Sequence, residues 1–131
     1  MRPKLVLLVM GLALLLSACG GGATGNVGGT WDGTLKLNGG AGTTFQVRYV
    51  FTDNGGKLSG TFSDCSPNFS QCQQSGTVSG QRNVNNATFT TDLGNQGGFD
   101  TGGVFSGNTF SGLTNAAFTG DVTATVTLTK K

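Results

Sequence analysis

From Thr30 onward the chain alternates apolar and polar side chains with a period of two, and this alternation constrains the fold more than any other feature. A period of two puts successive residues on opposite faces of an extended strand, so each run offers one apolar face for burial. "TWDGTLKLN" sets Trp31, Gly33, Leu35 and Leu37 on one face, and "TTFQVRYVF" sets Phe45, Val47, Tyr49 and Phe51 together. "KLSGTF" aligns Leu58, Gly60 and Phe62, and "SGTVSGQ" aligns Gly76, Val78 and Gly80. "ATFTTDL" contributes Ala87, Phe89, Thr91 and Leu93; "FDTGGVF" contributes Phe99, Thr101, Gly103 and Phe105. "TFSGL" offers Phe110 and Gly112. Last, "AFTGDVTATVTLTK" runs Phe118, Gly120, Val122, Ala124, Val126 and Leu128 inward beneath an outer row of threonines. No segment from Thr30 onward repeats at the helical period.

Turn chemistry separates the runs: Asn38-Gly39-Gly40, Asn54-Gly55-Gly56, Asn85-Asn86, Gly94 to Gly98, and Gly107-Asn108. The expected fold is all-β, an eight-stranded antiparallel up-and-down meander. An even strand count leaves the first and last strands antiparallel, so the sheet can close into a small barrel with no free edge. A β-sandwich is the alternative, and it needs longer crossing connections than these turns provide. An apolar-(Ser/Thr)-Gly unit recurs, but at irregular spacing, which argues against a solenoid. Its glycines fit the inner face of a tightly curved sheet instead.

Gly29-Thr30-Trp31, at the start of the first strand, resembles the G-x-W signature of the calycins, the lipocalin and avidin-type barrels. "LSGTF" further on is similar to the strand-three texture of the avidin type. The resemblance implies that Trp31 plugs the barrel floor and that Lys130, following "TVTLT", packs across its indole. Two departures limit it. No segment reads as the helix that lipocalins carry beside the barrel, and a lone tryptophan does not furnish an avidin's biotin site, so biotin binding is not implied.

The chain opens with the cationic Met1-Arg2-Pro3-Lys4 and the apolar run Leu5 to Leu16, the layout of an export signal. As a helix, Leu5 to Ala18 would reach only about 21 Å of a roughly 30 Å hydrocarbon core, too short to span it. Leu16-Ser17-Ala18-Cys19 resembles the lipobox of bacterial lipoproteins. That resemblance implies cleavage before Cys19, diacylglycerol on its sulfur and a further acyl chain on the new amino terminus. More than one chain is what durable anchoring requires. Gly20 stands where inner-membrane lipoproteins of enteric-type bacteria carry aspartate, so the resemblance points to the outer membrane. The chain then divides into a signal peptide (1–18), a lipid-anchored glycine-rich tether (19–29) and the β-domain (30–131). With Cys19 taken by lipid, Cys65 and Cys72 remain as a disulfide pair in an oxidising compartment. Zinc would need two more ligands, and the chain has no histidine. A redox pair would be spaced C-x-x-C.

Once Arg2 and Lys4 leave with the signal, six cations face six aspartates, so the basic balance of the full chain says nothing about nucleic acid. No enzyme is expected. Histidine and glutamate are absent, and by alternation the aspartates fall on the outer face or in turns. Asp92 and Asp100, flanking "LGNQGGF", are the one acid pair that a strand turn could bring together. No metal and no cofactor is expected.

The topology puts the tether, the tight turns and the C-terminus at one end. The loops at 38–42, 65–72 and 94–98 fall at the other, facing away from the membrane. Two functions fit: a monomeric, membrane-anchored envelope lipoprotein with a structural or interaction role, its partner another envelope protein; or a module holding a small apolar ligand. A ligand would enter at the loop end, near Asn38, Phe45 and Phe69. No inward polar group is expected to orient it. Phe69, at the disulfide loop's tip, is expected either to dock on a partner or to fold back over the mouth.

Overall fold

A computed structural model describes residues 25–39, 42–116 and 122–131. Eight strands follow in order: β1 (Gly29–Leu37), β2 (Thr44–Asn54), β3 (Lys57–Asp64), β4 (Gln73–Asn83), β5 (Asn86–Asp92), β6 (Gly98–Ser106), β7 (Thr109–Ala116) and β8 (Val122–Lys130). Single 3-10 turns at Phe69–Gln71 and Gly94–Gln96 interrupt the loops. Each strand pairs antiparallel with its chain neighbour, and β1 also pairs with β8, with Trp31 opposite Lys130 and Leu37 opposite Ala124. The sheet is therefore a closed barrel, the meander expected from the strand count, and no sandwich forms. Closure leaves no row of unpaired backbone groups to recruit another strand.

The inner face is the one the alternation selects. Trp31, Tyr49, Phe105, Phe110, Val126 and Leu128 are fully buried. Phe118 and Gly120, placed inward from the sequence, lie outside the described residues, and β8 is described from Val122. The inward glycines let strands approach and bend. A Cβ on Gly33 would sit 1.8 Å from the Thr127 carbonyl oxygen across the β1–β8 seam, so no side chain fits there. Gly103 and Gly112 face each other on β6 and β7, and the Phe110 ring covers both, its Cζ 2.7 Å and 3.0 Å from where their Cβ atoms would stand. Among the described residues the inward glycines do not hollow the barrel; backbone and rings occupy their space.

Aromatic rings fill the core in a connected series. Trp31 meets Phe105 edge-on at 5.0 Å, Phe105 meets Phe110 at 4.7 Å, and Phe110 meets Phe89 at 5.6 Å. Phe89 contacts Tyr49 at 5.5 Å, Tyr49 contacts Phe62 at 5.1 Å, and Phe62 contacts Phe99 at 5.6 Å. Each edge-to-face pair adds about 0.5–1.5 kcal/mol beyond its area burial, and together the rings fix one packing.

The β4–β5 turn is centred on Val84–Asn85, one residue earlier than the Asn85-Asn86 pair the sequence suggests. Val84 takes φ +56°, in the left-handed region. Right-handed strand twist selects such turns for two-residue hairpins, and the register Asn83↔Asn86 forces it here despite a β-branched side chain.

Candidate functional site

The barrel has two chemically different ends, and the floor is the more elaborate. Asp53 has the same inward parity as Phe51 and Tyr49, and its carboxylate is wholly buried. Its Oδ2 accepts from the backbone N–H of Val27 at 2.9 Å, and its Oδ1 accepts from that of Gly56 at 2.9 Å. Arg82 donates through Nε at 3.0 Å and closes an ion pair through Nη2 at 2.8 Å. Burial alone would raise this carboxyl's pKa; the Val27 and Gly56 amides and the Arg82 guanidinium outweigh it and hold the pKa below the ordinary carboxylate value. The expectation that every aspartate faces solvent or a turn therefore fails at Asp53. The signal was its parity in β2, but a turn glycine two residues on made it read as a turn residue.

The same network folds residues 26–28, assigned from the sequence to the tether, under the barrel. Val27 is buried, and its carbonyl accepts from the Trp31 indole Nε1 at 2.9 Å. The Asn26 amide donates to the Asp53 carbonyl at 2.9 Å. The Lys130 ammonium stands 6.0 Å from the Trp31 ring centroid, within reach of a weak cation–π contact. Residues 26–28 thus belong to the floor.

Midway up, four hydroxyls gather inside. Tyr49, Thr91, Thr101 and Thr114 are all buried, and Thr101 and Thr114 hydrogen-bond to each other. The Tyr49 hydroxyl approaches Thr91 and Thr101 from the opposite wall, yet neither it nor the Thr91 hydroxyl reaches good hydrogen-bonding geometry. Burial pushes the Tyr49 phenol pKa far above its usual value, against the smaller opposing effect of Thr91 and then Thr101. The expectation that no polar groups converge inside is overturned. Inward parity marks Tyr49, Thr91 and Thr101 in the sequence, but their meeting depends on barrel closure.

At the mouth, Leu35, Phe45, Val47, Phe62, Leu93 and Phe99 line an apolar pocket of about 130 Å³. Asp64, Ser75 and Gln96 stand at its rim. Of the three residues expected there, only Phe45 lines it. Asn38 lies over the outer wall of β8, its side chain accepting from Thr125 Oγ1 at 3.1 Å and donating to Thr123 Oγ1 at 3.4 Å. Phe69 neither caps the mouth nor extends from it. The disulfide Cys65–Cys72 closes a tight loop that bends down the outside of β2, where the Phe69 ring covers the Arg48 guanidinium at 5.9 Å. Arg48 in turn holds Asp32 in a two-pronged ion pair, Nε–Oδ1 2.7 Å and Nη2–Oδ2 2.9 Å. The loop is thus spent on covering a wall.

Asp92 and Asp100 stand diagonally on adjacent strands without meeting. Asp92 accepts from the Gly94 amide and Asp100 from Thr90 Oγ1. Among the described residues no three potential metal ligands cluster. Cys19 and the expected signal segment, residues 1–18, lie outside the described residues. Comparison with protein-family models, curated proteins and solved structures finds no match for the chain.

Proposed function

We propose that the protein is a bacterial lipoprotein, held through acylated Cys19 in the cell envelope at the outer membrane, whose monomeric barrel serves a non-catalytic structural or interaction role. One observation carries the choice between a presenting body and a container: the interior is filled. Rings and hydroxyls occupy the barrel from floor to mid-height. The remaining pocket of about 130 Å³ is smaller than the roughly 300–1,000 Å³ of ordinary small-molecule sites. The inward carboxylate, Asp53, has its oxygens engaged by Val27, Gly56 and Arg82, which leaves it no role as an acid or base. The G-x-W start and the closed eight-stranded architecture together support a calycin-like kinship. The test is intact mass and membrane fractionation in a bacterial host that acylates lipoproteins. Wild type is expected to carry acyl mass on Cys19 and to sediment with membranes, and Cys19→Ser to lose both. An unmodified Cys19 on a soluble wild-type protein overturns the reading.

A second reading rests on the mouth pocket, which is apolar and close in size to a cavity that accepts benzene. On that reading the barrel holds a compact apolar ligand or acyl fragment against Phe45 and Phe99. Native mass spectrometry of protein from its host, finding a bound apolar molecule that Phe45→Trp expels, would favour it.

A further inference from the structure

The balance of six cations and six aspartates over residues 19–131 conceals a segregation along the barrel axis. At the floor end, Lys57 follows the β2–β3 turn, Lys130 ends β8 and Lys131 follows it. The acids nearest this rim are committed within the fold, Asp53 to Arg82 and Asp32 to Arg48. Toward the mouth, Asp64 and Asp92 end β3 and β5 and Asp100 lies near the start of β6, against Lys36 among the described residues. A carboxylate closing the chain at Lys131 would still leave the floor rim positive. Val84, 55% exposed, tips the neighbouring turn at the same end.

We propose that this lysine rim docks on the anionic headgroups of the bilayer that holds the Cys19 anchor. The inference rests on the lipoprotein reading, because the anchor sets what the rim faces. Seven residues separate Cys19 from the floor-bound Val27, and the eight chain steps between them span at most about 29 Å. Confinement within that radius gives the rim an effective concentration at the surface of about millimolar, so a contact too weak for a free protein suffices. Each lysine close to an anionic surface shifts the balance toward docking about fivefold, so three lysines give roughly a hundredfold. With a Debye length near 8 Å at physiological ionic strength, the attraction acts only when the floor itself faces the membrane. Docking therefore sets orientation: the barrel stands floor-down, with mouth and disulfide loop outward.

The test uses the acylated protein reconstituted in phosphatidylcholine vesicles, with and without phosphatidylglycerol. A fluorophore on Asn108→Cys reports the floor end and one on Gln96→Cys the mouth; headgroup spin-labelled lipid quenches whichever is close. The expected result is quenching at 108 and not at 96, on anionic vesicles only, relieved by high salt. Lys57→Gln with Lys131→Gln, both exposed and outside the floor network, should lower the docked-to-undocked ratio about 25-fold. Equal quenching on neutral and anionic vesicles, or no response to the double substitution, overturns the proposal. Failure of the anchor reading looks different, since the protein then lacks acyl mass and associates with neither vesicle.

Discussion

Replacing Asp53 with asparagine tests whether the floor is held by charge or by shape. The carboxylate receives two backbone amides and two guanidinium nitrogens, all between 2.8 and 3.0 Å. Asparagine keeps the size and one acceptor oxygen, so a bond to Val27 or Gly56 survives. Its amide nitrogen, however, must face a donor, and Arg82 loses its counter-charge. Breaking a buried ion pair by removing one partner costs about 3–5 kcal/mol. The Arg82 side chain is 13% exposed and also donates to the Val84 carbonyl at 2.7 Å, so part of its charge stays solvated. The lower figure applies, about 3 kcal/mol, or a melting temperature lower by about 12–20 °C for a domain of this size. The pH dependence supplies a second arm. A depressed carboxylate pKa adds stability that is fully present above the unfolded value of about 3.9 and is lost as pH falls through the folded value. Wild type should therefore weaken as pH drops below about 4, and Asp53→Asn should lack that part of the slope. Urea unfolding followed by Trp31 fluorescence reads both, because the chain has one tryptophan and it sits on this floor. A loss under about 1 kcal/mol with an unchanged acid slope would refute the account of the floor as a charge-locked joint.

Three further outcomes are expected in the same assay. Tyr49→Phe removes a buried hydroxyl without a good partner and should be neutral or stabilising by up to about 1 kcal/mol; a loss larger than that would mean the hydroxyl is satisfied. Val84→Asn relieves a β-branched residue at φ +56° and should gain about 1 kcal/mol, with unchanged stability arguing against that backbone strain. Reducing Cys65–Cys72, a bridge across seven positions, should cost roughly 2–3 kcal/mol by loop entropy, and no shift in the urea midpoint would mean the loop is held by other contacts.

The strands were legible because each has one buried face, so parity alone assigned Trp31, Val47, Phe89, Phe105 and Val126 inward. The two-residue turns at Gly55-Gly56 and Gly107-Asn108 were legible because they need a left-handed backbone that glycine accepts. What escaped depends on contacts between distant segments. Asp53 gains the Val27 amide because residues 26–28 return across the floor, and a glycine-rich stretch offers no local sign that it will. Phe69 lies against Arg48 because a short disulfide loop has to bend along its own wall, a direction that spacing does not encode. The hydroxyl layer needs β2 to face β5 and β6, which closure alone brings about.

Because β1 is stitched to β2 on one side and β8 on the other, mechanical load reaches the barrel in a direction-dependent way. Tension between residue 25 and anything gripping the mouth loads both ladders of β1 lengthwise, so its cross-strand bonds must fail together. Tension between residue 25 and the end of β8 pulls at one end of a single seam and opens it bond by bond. A molecule held at its floor and gripped at its mouth is therefore strong along its axis and weak at its own seam.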